Sequence, residues 1–84
     1  MGQGEVIDLL RRRVKPIPTI KIAELLGKNT STVTNLLRKL IKEKVVDFIL
    51  LPAYTRNHGL RIKRCYFLTE NKHRIKFKEL GYKE

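Results

Sequence analysis

The stretch AELLGKNTSTVTNLLRKLIKEKVVD, residues 23–47, decides the fold of this chain, because it predicts two helices separated by a tight turn. Apolar residues recur at helical spacing on both sides of Gly27, and glycine accepts the left-handed backbone conformation that often follows a helix end. Asn29 is a good N-cap, so a helix is expected directly after it. The sequence therefore predicts a helix-turn-helix over about residues 19–44.

The second helix of this pair, predicted over residues 29–44, has two chemically different faces. The buried stripe is expected to contain Val33, Leu36, Leu37, Leu40 and Ile41. At about 100° per residue, the opposite face carries Ser31, Thr34, Asn35, Arg38 and Lys42. Such a helix is narrow enough for the DNA major groove, and small hydroxyl side chains on its first turns let the backbone approach the base edges. This pattern favours a recognition helix.

The chain before this pair predicts one more helix and an extended connection. Apolar spacing indicates an amphipathic helix over residues 4–14, which Pro16 and Pro18 prevent from continuing. Thr19 is the expected N-cap of the next helix, residues 20–26. Its inward residues are predicted to be Ile22, Leu25 and Leu26.

The chain after the pair changes to the composition of strands. VVDFILL, residues 45–51, is apolar and β-branched and is expected to end at Pro52, whereas RIKRCYFL, residues 61–68, forms a second strand. The turn formers between them predict a hairpin with a long, basic loop. Residues 70–82 are predicted to be a helix capped by Thr69.

These elements predict an α+β domain of the winged helix-turn-helix type. It has a three-helix core, a β-hairpin wing over about residues 45–68 and a short C-terminal helical segment. With 84 residues the chain is long enough for one small domain, residues 1–84, and no more.

Charge is the strongest indication of a partner. Nineteen Lys and Arg residues against eight Asp and Glu residues give a net charge of +11, an excess that usually has an anionic partner. No acidic residue occurs between Glu24 and Glu43 or between Asp47 and Glu70. These two windows coincide with the recognition helix and the wing, and a merely solvated surface would mix the two signs. The windows contain Lys28, Arg38, Lys39, Lys42, Arg56, Arg61, Lys63 and Arg64.

Several other classes of protein are not expected. The longest apolar run is four residues, 48–51, far below the roughly 20 residues of a membrane span, and the amino terminus does not have the pattern of a secretory signal. The chain has a single cysteine, Cys65, so it cannot form an internal disulfide. Cys65 is expected to be an unreactive strand residue. Cys65, His58 and His73 lack metal-ligand spacing. We therefore expect no metal, no cofactor and no enzymatic activity.

The run at residues 23–47, followed by YFLTE at 66–70, resembles the winged helix-turn-helix core of MarR- and ArsR-type prokaryotic transcriptional regulators. In that pattern A-E-x-L-G precedes S-x-x-T-V-S-x-x-L, then L-x-x-x-G-L-V, a wing and a closing L-T. The resemblance covers about residues 19–71, with Asn29 in place of the usual serine and Lys44 where glycine is common. The matching positions are Ala23, Leu26, Gly27, Thr32, Val33, Leu37, Leu40, Val46, Leu68 and Thr69.

The resemblance implies sequence-selective binding of double-stranded DNA. It implies that Ser31, Thr34, Asn35 and Arg38 contact the bases. It also implies that the wing, around Arg56, His58 and Arg61, lies on phosphates or in the minor groove. Together with the charge pattern, the predicted DNA-contacting residues are Lys28, Thr30, Ser31, Thr34, Asn35, Arg38, Lys42, Arg56, His58, Arg61 and Lys63. The long dimerisation helix and the metal-sensing sites of these families are missing from this sequence, so a sensing activity does not carry over.

The sequence thus favours a transcriptional regulator, most simply a repressor that blocks polymerase. A homodimer on a pseudo-palindrome is the usual arrangement, with Leu9 and Ile41 as candidates for its interface. Such a regulator suits an archaeon, its virus or a plasmid, acting in the cytoplasm on the nucleoid or in the host cytoplasm. The alternatives are an architectural or replication protein without sequence preference, a winged helix for protein–protein contact, which predicts an exposed apolar patch, and an RNA-binding protein.

Overall fold

The computed structural model describes residues 2–55 and 59–76 of the chain. It is an α+β fold, as predicted, with helices α1 (Gly2–Arg12), α2 (Thr19–Leu26) and α3 (Thr30–Lys42) packed on an antiparallel sheet. The sheet contains β1 (Ile17–Pro18), β2 (Val46–Thr55) and β3 (Gly59–Leu68) in the order β1-β3-β2. A 3₁₀ helix, Thr69–Arg74, follows β3.

The helix pair α2–α3 forms as predicted, with one correction at its start. Gly27 has φ 65°, and the backbone amides of Lys28 and Gly27 donate to the carbonyls of Ala23 and Glu24, which is a Schellman ending. Asn29 caps α3, since its Oδ1 accepts a hydrogen bond of 2.8 Å from the Thr32 amide. Thr19 does not cap α2. It is the first helical residue, and Pro18 occupies the cap position without a side-chain hydrogen bond.

The other element boundaries differ from the sequence prediction for steric and tertiary reasons. Helix α1 covers residues 2–12 rather than 4–14, because Pro16 disfavours helical geometry at Lys15 and the chain leaves the helix before that point. The extended connection after it pairs with β3, with Ile17 opposite Tyr66. This third strand was not predicted, since two residues carry no periodicity of their own.

Strand β2 continues through Pro52 to Thr55, so the prediction that it ends at Pro52 is wrong. Pro52 lacks an amide hydrogen, but β2 is an edge strand and needs hydrogen bonds on one side only. Strand β3 begins at Gly59, which has φ 68°. The two strands are therefore longer, and their connection shorter, than the sequence suggested.

The helix predicted over residues 70–82 forms only in part where the structure describes it. The chain forms the 3₁₀ helix and then an extended residue, Ile75, with φ −92° and ψ 126°. Thr69 does not cap this segment, because its hydroxyl donates over 2.8 Å to the carbonyl of Lys44. Residues 77–82 of that prediction lie outside the described part of the chain.

One hydrophobic core joins the three helices to the inner end of the sheet. Helix α3 buries Val33, Leu37 and Leu40, with Leu36 and Ile41 half-buried, as the predicted stripe requires. Leu9 is buried in this core, so it is not available as a dimer contact. Leu25, predicted to be inward, is 38% exposed. The buried core residues are Val6, Leu9, Leu10, Ile22, Ala23, Val33, Leu37, Leu40, Val46, Tyr66 and Leu68.

The turn that follows α3 contains a strained residue, Lys44. Its φ is 62°, a left-handed conformation that costs a residue with a Cβ about 1–2 kcal/mol. The geometry is fixed by a second Schellman ending, in which the amides of Val45 and Lys44 donate to the carbonyls of Leu40 and Ile41, each at 2.9 Å.

Replacing Lys44 by glycine should therefore stabilise the domain. Lys44→Gly removes the left-handed strain but adds freedom to the unfolded chain, so the net gain in the free energy of unfolding should be about 0.5–1 kcal/mol, measured by urea titration. Lys44→Ala is the matched control, because it removes the same charge and keeps the Cβ. An equal gain in both variants would attribute the effect to charge rather than to backbone strain.

Candidate nucleic-acid interface

The exposed side of α3 carries a continuous polar stripe that we call the α3 stripe: Ser31, Asn35, Arg38 and Lys42. Their spacings of four, three and four residues place them on one face of the helix, opposite the buried stripe. All four are exposed, as are Thr30 and Thr32 at the start of the helix. Thr34 lies on the flank of the stripe and is half-buried. The structure thus brings the predicted α3 residues onto one surface, with Thr34 at its margin.

Helix α3 is held from behind by α1. A methyl group in place of the Gly2 hydrogen would lie 2.8 Å from Leu36 Cδ1, so the start of α1 packs directly on the half-buried flank of α3. Val33 and Leu37 anchor the helix to the core. The α3 stripe therefore lies on a helix whose position is fixed by packing. A surface that recognises a partner through the geometry of its side chains requires such a rigid support.

Lys28 is a predicted contact residue whose charge has a partner in the described part of the chain. Its Nζ lies 3.2 Å from Glu5 Oε2, and its side chain is 29% exposed. The ion pair connects the turn before α3 to α1. No local sequence pattern indicates this pairing, since the two residues are 23 positions apart and meet through helix packing.

The β2–β3 hairpin carries the second group of predicted residues. Arg61 is exposed and Lys63 is half-buried, whereas Arg56 and His58 lie outside the described residues. Arg64, which was not among the predicted contacts, is exposed, and its guanidinium carbon lies 5.0 Å from the centroid of the Phe48 ring. Stacking on an aromatic ring restricts the orientation of an arginine, so the Arg64 guanidinium is held in a defined position on the hairpin.

A shallow groove of about 230 Å³ joins this hairpin to the start of α2. Its two cations, Lys63 and Arg64, come from β3, and Thr19 begins α2 beside them. The acid-free window at residues 48–69 was the available sequence signal for Arg64. The groove is lined by Pro18, Thr19, Ile20, Lys63, Arg64 and Tyr66.

One face of the wing is apolar and uncovered. Leu50, Leu60 and Ile62 are 54%, 58% and 71% exposed. The opposite face of the hairpin buries Leu51, Cys65 and Phe67. Leu60, Arg61, Ile62 and Lys63 alternate between apolar and basic and were the available sequence signal for this face, but VVDFILL is apolar at nearly every position and does not show which of its residues share it.

A second basic surface lies where α1 meets the 3₁₀ helix. Asn71, which is 4% exposed, donates from Nδ2 to the Leu10 carbonyl at 3.3 Å, and Arg11 Nε lies 3.4 Å from Glu70 Oε1. These contacts bring the basic end of α1 beside the basic 3₁₀ helix. The exposed cations of this surface are Arg11, Arg12, Arg13, Lys15, Lys72, Arg74 and Lys76.

Neither a metal site nor a reactive thiol is found in the described part of the chain. Residues 2–55 and 59–76 contain no group of three or more His, Cys, Asp or Glu side chains that could hold a metal ion. Burial raises the pKa of the Cys65 thiol, partly opposed by the nearby Lys63 charge. The thiol therefore stays protonated at neutral pH, and thiolate is the reactive form.

Within the same residues, no helix is long and apolar enough to cross a membrane. Comparison of the chain with protein-family models, with curated proteins and with solved structures gave no match.

Proposed function

We propose that this chain binds double-stranded DNA, with α3 in the major groove and the β2–β3 hairpin against the adjacent backbone and minor groove. The observation that carries the proposal is the α3 stripe, which is exposed, polar and basic, with no acidic residue between Glu24 and Glu43. A rigid helix with this surface matches the width and the charge of the groove.

The order of elements supports the same interpretation. Helices α2 and α3 form a helix pair with a three-residue turn, α1 packs behind them, and a long hairpin follows α3 directly. This order fits the layout of a winged helix-turn-helix, in which the second helix of the pair enters the major groove. The resemblance to MarR- and ArsR-type regulators leads to the same layout.

The side chains of the stripe divide into two roles. Arg38 can donate two hydrogen bonds to the O6 and N7 atoms of guanine, and Asn35 can bond to the N6 and N7 atoms of adenine. Lys42 and the hairpin cations Arg61 and Lys63 contact phosphates and displace counterions, which supplies affinity without sequence information. The proposed activity is repression, in which the occupied site blocks polymerase.

A second candidate is favoured by one observation. The exposed aliphatic residues of the wing, Leu50, Leu60 and Ile62, form the kind of apolar patch that a winged helix for protein–protein contact would present. This patch is small, and it adjoins Arg64 rather than a neutral rim. A DNA-binding surface accounts for both kinds of residue, whereas a protein-docking surface leaves the α3 stripe unexplained.

The test is a comparison of binding to random duplexes and to a site selected from a random-sequence pool, between about 50 and 300 mM salt. We expect the selected site to bind at least about a thousandfold more tightly at physiological salt. Equal binding of all duplexes with a steep salt dependence would instead indicate an architectural protein. No binding at low salt would reject DNA as the partner.

A further inference from the structure

The uncovered side of the wing, which we call the apolar wing face, consists of Leu50, Leu60 and Ile62. Residues that pair across antiparallel strands share a face, and Leu50 pairs with Arg64 while Ile62 pairs with Pro52. Because side chains alternate along each strand, residues 60, 62 and 64 of β3 lie on the same side as residues 50 and 52 of β2. The three aliphatic side chains therefore form one surface.

This surface has a rigid base. Closer to the core, the same side of the hairpin carries Phe48 and Tyr66, whose ring centroids are 5.8 Å apart. Tyr66 belongs to the buried core, and Phe48 packs against it. The apolar wing face is thus the outward continuation of the core along a two-stranded ribbon, and its exposed end is Ile62 and Leu60.

The charges around this surface identify the partner. Arg64 lies on the same face at its inner boundary, stacked on Phe48, and Arg61 is exposed on the other face between Leu60 and Ile62 in the chain. Aliphatic side chains flanked by arginines suit the DNA minor groove, where phosphates line both walls and apolar side chains can enter between stacked base pairs.

A second copy of the chain fits this surface poorly. A stable interface buries roughly 800 Å² per partner, far more than three side chains that are already partly covered can contribute. Face-to-face packing of two wings would also bring the Arg64 side chains of two chains with net charge +11 together. Insertion into DNA needs only one or two side chains. The positive charges that oppose the packing of two copies favour binding to the phosphates of DNA.

We propose, on the basis of the DNA binding proposed above, that the apolar wing face is a wedge that enters the minor groove and bends the duplex. Ile62 and Leu60 insert at a base step and partly unstack it, and Arg61 and Arg64 hold the phosphates on either side. The bend is directed toward the major groove. Pyrimidine–purine steps unstack most easily, so the wedge adds a preference for TA or CA steps beside the sequence that α3 reads.

The test measures DNA shape separately from affinity. A selected duplex carries fluorophores at its two ends for energy transfer and 2-aminopurine beside the step that faces the wing. The wild-type protein should bend the duplex by about 20–90° and increase the 2-aminopurine fluorescence. Leu60→Thr/Ile62→Thr should at least halve the change in energy transfer and abolish the fluorescence increase. The salt slope of binding should stay the same, because no charge is removed.

Controls keep the result interpretable. Threonine favours strands and both positions are exposed, so the double variant should unfold at the wild-type temperature. Leu25→Ala removes a 38%-exposed leucine outside the wing and should bend DNA as the wild type does.

The outcomes separate the wedge from DNA binding itself. Tight binding to a straight duplex, or equal bending by the double variant, would overturn the wedge and leave the proposed function intact. A wild-type dimer that the double variant dissociates would assign the face to a second copy and would also overturn the wedge. Failure of the wild-type protein to bind any duplex would remove the proposed function, and the wedge with it.

Discussion

Arg38→Ala should weaken binding to the selected DNA site about 5- to 150-fold, which corresponds to the roughly 1–3 kcal/mol of a bidentate contact to guanine. Binding to random duplexes should weaken much less, because a phosphate contact can be replaced by a neighbouring cation. The variant therefore loses specificity more than affinity. Competition titrations with the selected site and with random DNA measure both quantities in one series.

Lys39→Ala is the matched control for this prediction. Lys39 is exposed and lies on α3 next to Arg38, but it is outside the α3 stripe, so its removal deletes the same charge from the same helix. We expect Lys39→Ala to reduce affinity for both kinds of DNA by a similar small factor. If the two variants behave alike, the stripe acts through charge alone and does not read bases.

The second large effect concerns stability. Leu37 is 1% exposed and lies on the core side of α3, so Leu37→Ala should lower the free energy of unfolding by about 2–5 kcal/mol. A domain of this size has a total of only about 4–13 kcal/mol, so the loss is a large fraction of it. The melting temperature should fall by roughly 10–30 °C, measured by circular dichroism.

Leu25→Ala, the same chemical change at a 38%-exposed position of α2, should cost less than about 1 kcal/mol. A DNA titration at low temperature, where Leu37→Ala is still folded, should give near wild-type affinity, because the α3 stripe is unchanged. A strong loss of affinity in that folded variant would mean that the position of α3 depends on its packing more closely than we infer.

Helix α3 and its two faces could be predicted from the sequence because they depend on local information. The 3.6-residue period, the Asn29 cap and the glycine before it are all encoded within a few residues of each other. The acid-free windows can likewise be read directly from the sequence. These features were enough to predict the α+β class, the helix pair and the α3 stripe.

The remaining features depend on the tertiary structure. Pro52 can lie inside a strand only because β2 is at the edge of the sheet, and the neighbours of a strand cannot be read from its own residues. The Lys28–Glu5 ion pair and the apolar wing face likewise arise from helix packing and strand register. Lys44 is intermediate, since the resemblance marks it as a glycine position but does not give its backbone angle.

The hydrogen bond from Asn71 to the Leu10 carbonyl also affects how the chain folds during synthesis. It joins residues 61 positions apart and tethers the end of the first helix to the segment that follows the last strand. Among the described residues, strand β1 likewise pairs with β3, which is made much later. The helix pair α2–α3 can pack as soon as it leaves the ribosome, but α1 and β1 acquire these partners only when residues 65–71 have emerged. We therefore expect the domain to complete its fold late, with α3 formed before the elements that orient it.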